Sequence, residues 1–117
     1  MKDNIIQAKS YAFAVRIVQL DQHLSAAKRE YVLSKQVLRC GTSIGANVEE
    51  AIGGQLRADF VSKLSVAYKE VRETSYWLRL LKDTDYMTQL EFESIHADAE
   101  ELSRIIAAIQ KTTKNNS

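Results

Sequence analysis

Not one proline occurs in this chain of 117 residues, and only four glycines do. Sheet-rich domains interrupt their chain at short intervals with tight turns, and those turns draw on both residue types. Long helices need neither. The absence narrows the fold to long helical segments before any periodicity is read. Hydrophobic residues at 45% and charged residues at 26% are ordinary for a globular chain. The length suits one domain with a real core.

Four segments carry apolar residues three and four apart, the helical period. The first spans about 4–23, with Ile6, Phe13, Ile17, Leu20 and Leu24 on its stripe and Ala8, Tyr11, Ala12 and Val15 beside it. Asn4 and Gln7 are spaced for a capping box at its start. The second spans about 27–52. Its Leu33, Val37, Cys40, Ile44, Val48 and Ala51 step by 4, 3, 4, 4 and 3, and Gly53 and Gly54 follow as an expected C-terminal stop. The third spans about 57–83, with Phe60, Leu64, Ala67, Val71, Thr74, Leu78 and Leu81 on its stripe and Tyr68, Tyr76 and Trp77 adjoining.

The fourth, about 88–112, opens on a T-x-x-E capping box, Thr88 and Glu91, with Met87 and Phe92 placed as a hydrophobic staple. Phe92, Ile95, Ala99, Leu102, Ile106 and Ile109 then alternate steps of 3 and 4. The tail KTTKNNS has no apolar residue and is expected to fray. Short connections favour antiparallel neighbours. The expected fold is all-α: one antiparallel up-and-down four-helix bundle over residues 1–117.

The stretch RCGTSIGANVEEA (39–51) invites a phosphate-loop reading, which fails on its parts. A P-loop needs G-x-x-x-x-G-K-[ST]; here Gly41 and Gly45 are four apart, and Ala46 and Asn47 follow. As part of the second helix the stretch has another use. Gly41, Ser43, Gly45 and Ala46 leave room for a neighbouring helix to come close. Each internal glycine costs about 1 kcal/mol relative to alanine, which close packing must offset.

Bundles with carboxylates also host paired metals through two E-x-x-H motifs. Glu93 and His96 supply one such motif, and no second exists, since His23 is preceded by Leu20. We therefore expect no metal and no cofactor. Cys40 lies in an apolar stripe, which suits a buried structural thiol, and Ser43 has no motif that supplies a base. No catalytic residue is assigned, and the chain reads as a non-enzyme. Two polar stripes border the core instead. One is Gln36, Ser43, Asn47 and Glu50; the other is Lys63, Glu70, Glu73 and Trp77. With Gly41 and Gly45 they are expected to form a seam between helices or between subunits.

The net charge is only +1, but it is unevenly spread. Up to Cys40 seven basic residues face three acidic ones, and from Tyr86 onward three basic residues face five acidic ones. Such asymmetry makes a basic and an acidic face. The single cysteine precludes an internal disulfide and fits a reducing compartment. The N-terminal MKDNIIQAKSYAF lacks the apolar centre of a signal peptide. No run nears the roughly 20 apolar residues of a membrane span. A cytoplasmic protein with no membrane contact is expected.

KQVLRCGTSIGANVEEAIGGQ and FVSKLSVAYKEVRETSYWLRLL closely resemble the bacterial four-helix-bundle family of the ribosomal-RNA intervening-sequence proteins. The likeness is specific from Lys35 to Leu81, as Q-x-x-R-x-x-x-S-I-x-x-N-x-x-E and K-L-S-x-A-x-K-E-x-R-E-T-x-Y-W-L. It extends more loosely over both terminal helices. One departure lies in DQHLSAAKREYVL, where many relatives carry a proline. The resemblance implies an up-and-down bundle and a ring-like homo-oligomer, a pentamer. The related accessory proteins of diversity-generating retroelements form such rings and bind nucleic acid and a reverse transcriptase through a basic surface. No catalytic residues come with the likeness.

The leading expectation is a non-enzymatic oligomer that binds structured RNA, or other nucleic acid including DNA. A ring multiplies each weak phosphate contact by avidity. Arg16, Lys28, Arg29, Lys35 and Arg39 are the expected backbone contacts. The alternative is a protein–protein adaptor with no direct nucleic-acid role, which an exposed apolar patch would favour.

Overall fold

The apolar stripes become the inner faces of four helices: α1 (Lys2–Ala27), α2 (Leu33–Gly53), α3 (Arg57–Asp83) and α4 (Gln89–Asn115). These come from a computed structural model, which describes residues 2–115 and the side chains of 5–115. Each helix packs on the next, and α1 also meets α4 more lightly, closing a ring with no close approach across either diagonal among the described residues. The bundle measures 47 × 21 × 20 Å, the length of helices that rise about 1.5 Å per residue. Phe13, Ile17 and Leu24 of α1, Ile44 and Val48 of α2, Leu64 and Leu78 of α3, and Leu102 and Ile106 of α4 are buried along its axis. Burying each such side chain contributes about 1.5–3 kcal/mol.

Helix boundaries depart from the sequence reading in three places. The first helix continues to Ala27, four residues past the expected end, because Leu24 still belongs to the core. The second then starts at Leu33, not near 27. Residues between them turn on Arg29, which holds φ 53, while the Glu30 backbone N–H donates to the Leu24 carbonyl at 2.9 Å. Glu30 defines the new start. Its buried carboxylate accepts from the backbone N–H groups of Val32 (3.1 Å), Leu33 (3.0 Å) and Ser34 (2.7 Å), and the Ser34 hydroxyl donates to the Glu30 carbonyl at 2.9 Å. Those are donors that a helix start otherwise leaves unsatisfied. The third departure is at the far end: α4 runs on to Asn115, through most of the tail expected to fray. Arg57 of α3 donates there to the Thr113 carbonyl. The Asn4 half of the expected capping box lies outside the described side chains, and Gln7 instead donates to Glu49 at 2.7 Å.

Other ends follow the sequence. The capping box at α4 is formed: the Thr88 N–H donates to Glu91 at 2.8 Å, and the Glu91 N–H donates to the Thr88 hydroxyl at 3.1 Å. That backbone bond from Thr88 holds the Glu91 carboxyl below its ordinary range. Met87 and Phe92 are both buried beside it. Helix α2 does stop at Gly53 and Gly54, but Gly54 has φ −69 and no glycine is left-handed. Left-handed backbone occurs instead at Arg29 and at Asp85, φ 70. Asp85 closes α3 as a Schellman turn, with Tyr86 N–H donating to Leu81 at 2.9 Å and Asp85 N–H to Lys82 at 3.1 Å.

The two internal glycines of α2 face α1. An added Cβ would lie 2.8 Å from Ile17 at Gly41, and 3.3 Å from the Ser10 carbonyl oxygen at Gly45. Close approach of these helices is what the small residues permit.

Candidate functional site

The polar stripes of α2 and α3 meet one another within the chain. Arg39 bridges them, paired with Glu73 and lying 3.8 Å from Glu70. Trp77 donates its indole N–H to Glu73 at 3.0 Å, and Lys63 pairs with Glu50 at 2.7 Å. Ser43 donates to the Arg39 carbonyl at 2.7 Å, and Asn47 to the Ser43 carbonyl at 2.8 Å. Gln36 is half-buried on the same side. Every carboxylate of the seam already has a cation or an N–H.

Groups capable of other chemistry are also engaged. The Cys40 thiol is buried, and that burial pushes its pKa up, away from the thiolate. His96 shares a hydrogen bond with Ser75 at 2.8 Å, lies 3.6 Å from Glu100 and stacks on Phe92. Glu93 accepts from Gln89 at 2.7 Å rather than approaching His96. Among the described residues no three metal-ligating side chains converge, and no helix is long and apolar enough to cross a membrane.

The five basic residues expected as one surface are dispersed. Arg16 faces α4, 2.6 Å from Asp98 and bonded to Ser94. Lys35 pairs with Asp21 of α1 at 3.0 Å. Arg39 lies on the opposite side of the ring from Arg16, in the α2/α3 seam. Only the sequence neighbours Lys28 and Arg29 lie together, exposed in the α1/α2 turn and with no ion pair among the described residues, although Lys28 is near enough to Glu91 to help lower that carboxyl's pKa. The pairs are partly solvated, so each contributes about 0–1 kcal/mol, but each also neutralises a cation.

Two surfaces escaped the sequence reading. One is the outer face of α1. Ile5, Ala8, Tyr11, Ala12, Val15 and Val18 are all exposed there, Tyr11 to 70%. From Ile5 to Gln22 this face has no charge, because Lys9 and Arg16 turn to Glu101 and Asp98 of α4 and Asp21 turns to Lys35 of α2. With the core stripe opposite, α1 is apolar on two sides, a property of helices buried on both. The other surface is the outer face of α3, where Lys69, Arg72 and Arg79 are exposed around Tyr76. The spacing of 3, 4 and 3 was readable in both cases.

A family model described as 23S rRNA-intervening sequence protein matches residues 2–108. Among solved structures, a protein of unknown function from the S23 ribosomal protein family of Bacteroides thetaiotaomicron is 51% identical, with a TM-score of 0.93. The match covers 95% of this chain and 99% of that one. No curated protein matches.

Proposed function

The chain belongs to the 23S rRNA-intervening sequence protein family, and from that premise we propose that it is a non-enzymatic bundle that assembles with copies of itself and binds structured RNA. The assembly part rests on the uncharged outer face of α1, which presents Tyr11, Val15 and Val18 to solvent in the single chain. An apolar helix face of this length gains by burial against a second copy. A closed ring of five is the form the reading takes, and a ring repeats every basic group around its rim. The RNA part is supported by the ribosomal-RNA association of the family description and by exposed cations that carry no ion pair with any described residue. Engagement of Cys40, Ser43 and His96 in internal contacts supports the non-enzymatic part. The reading includes a cytoplasmic location, supported by the single cysteine, which is buried and free.

The second reading, an adaptor for another protein, draws on the same α1 face. One experiment separates them. The mass of the purified protein is measured by light scattering for wild type and for Tyr11→Glu with Val15→Glu, and structured-RNA binding is followed by fluorescence anisotropy over a salt series. A wild-type oligomer that the double substitution dissociates, with RNA affinity falling steeply with salt and falling again on dissociation, supports the proposal. A wild-type monomer that binds no RNA at low salt sinks it and leaves the adaptor.

A further inference from the structure

We infer that the outer face of α3 is a binding surface for an unpaired stretch of RNA, with Lys69, Arg72 and Arg79 holding phosphates and Tyr76 stacking on a base. The inference rests on the RNA-binding reading above and assigns it a surface. Lys69, Arg72, Tyr76 and Arg79 step by 3, 4 and 3, so they share one side of the helix over about 15 Å. All four are exposed, Tyr76 to 51%. The three cations make no ion pair with any described residue. In this they differ from Arg16, Lys35 and Arg39, which carboxylates of the chain already hold.

Two α3 carboxylates border this face and are already engaged: Glu73 lines the same groove as Arg72, Tyr76 and Arg79, and Asp83, one turn beyond Arg79, pairs with Lys82 at 3.3 Å. Glu70 and Glu73 point into the α2 seam, where Arg39 and Trp77 bind them. Glu100 of α4 stands at the edge of the same groove, beside His96. The other exposed positions between Asp59 and Arg79 are Val61, Ser62, Ser65 and Val66, none of them charged. A row of unpaired cations attracts a polyanion, and its phosphates displace counterions from it.

Tyr76 sets the kind of polyanion. Its ring is 5.0 Å from the Trp77 ring at 78°, an edge contact that limits its motion while leaving half its surface to solvent. A duplex hides base faces within its stack and offers such a ring nothing. An unpaired base offers a π-face, and stacking of this kind needs no particular sequence. The Asp and Glu side chains of an acidic protein segment would satisfy the cations equally but give the ring between them nothing to stack on.

The test uses the full chain and a fluorescently labelled oligouridine, with a blunt RNA duplex and polyglutamate as competitors. Melting curves confirm that the exposed substitutions leave the bundle folded. Arg72→Ala with Arg79→Ala is expected to weaken oligouridine binding at least about tenfold. The slope of log affinity against log salt should fall by about 0.7 for each phosphate contact removed. Tyr76→Ala should weaken binding at least about fivefold with the slope unchanged, and Tyr76→Phe should bind as wild type. If wild type binds RNA and these variants bind equally well, the α3 surface is wrong while the RNA-binding reading stands. If polyglutamate or duplex displaces oligouridine as well as unlabelled oligouridine does, the assignment to unpaired RNA is wrong. Failure of wild type to bind any RNA overturns both.

Discussion

Gly41 of α2 faces Ile17 of α1 with no room for a methyl group between them: an added Cβ would sit 2.8 Å from Ile17 Cγ1 and 2.9 Å from Cγ2. Both carbons are bonded to the Ile17 Cβ, so the side chain cannot swing clear without moving its own packing. Gly41→Ala would gain about 1 kcal/mol of helix propensity and lose about 1–3 kcal/mol to overpacking. The expected result is a lower melting temperature despite the better helix former. In an Ile17→Ala background the same change should cease to destabilise, which a double-mutant cycle reads directly. Gly45→Leu is expected to destabilise too, since its Cβ meets the Ser10 backbone. Wild-type melting temperature and oligomer size in that variant would refute a packing role for the stretch.

Glu30 ties the start of α2 to pH. Burial, the largest single influence, pushes its pKa up, but the backbone N–H groups of Ser34, Leu33 and Val32 and the Ser34 hydroxyl together outweigh it. The folded value therefore lies below the ordinary 4.5. A carboxyl depressed by folding contributes stability above its unfolded pKa and loses it as pH falls through the folded value. Glu30→Gln is expected to cost about 1–2 kcal/mol at neutral pH. Urea melts at stepped pH should show that difference shrinking below about 4.5. A difference that stays constant down to strongly acid pH would show that Glu30 acts by shape alone.

Asp85 occupies the left-handed position that glycine usually fills at a helix end. A non-glycine residue there carries about 1 kcal/mol of strain. Asp85→Gly is expected to raise the melting temperature by a few degrees. Asp85→Ala should lower it, which separates backbone strain from loss of the charge. Equal shifts in the two variants would point to the charge instead.

Much of the fold was legible because burial and period coincide. Ile44, Leu78 and Ile106 lie on sequence stripes and in the core alike. The α4 capping box could be read for the same reason, since Thr88 and Glu91 act on each other three residues apart. The start of α2 could not, because Glu30 caps from outside the helix and matches no short capping pattern. Cation roles were the least legible. Arg16 and Asp98 are 82 residues apart, and only the folded ring reveals that one neutralises the other. The neutral face of α1 was hidden likewise: its sequence contains charges, and only the packing shows that Lys9, Arg16 and Asp21 turn to neighbouring helices.

The ring of helices has three joints between chain neighbours and one between the chain's first and last helices. Those three are local hairpins, which form early and fast. The joint of α1 with α4 is the only one that must close a loop through the whole chain, and closing it carries the largest entropy loss. It is also laced by Lys9–Glu101 and Arg16–Asp98, both at the surface. Added salt weakens solvated ion pairs and leaves buried apolar contacts almost untouched. The joint with the longest loop to close is thus held in part by solvated ion pairs, so added salt bears on the contact that closes the ring as well as on the seams between chain neighbours.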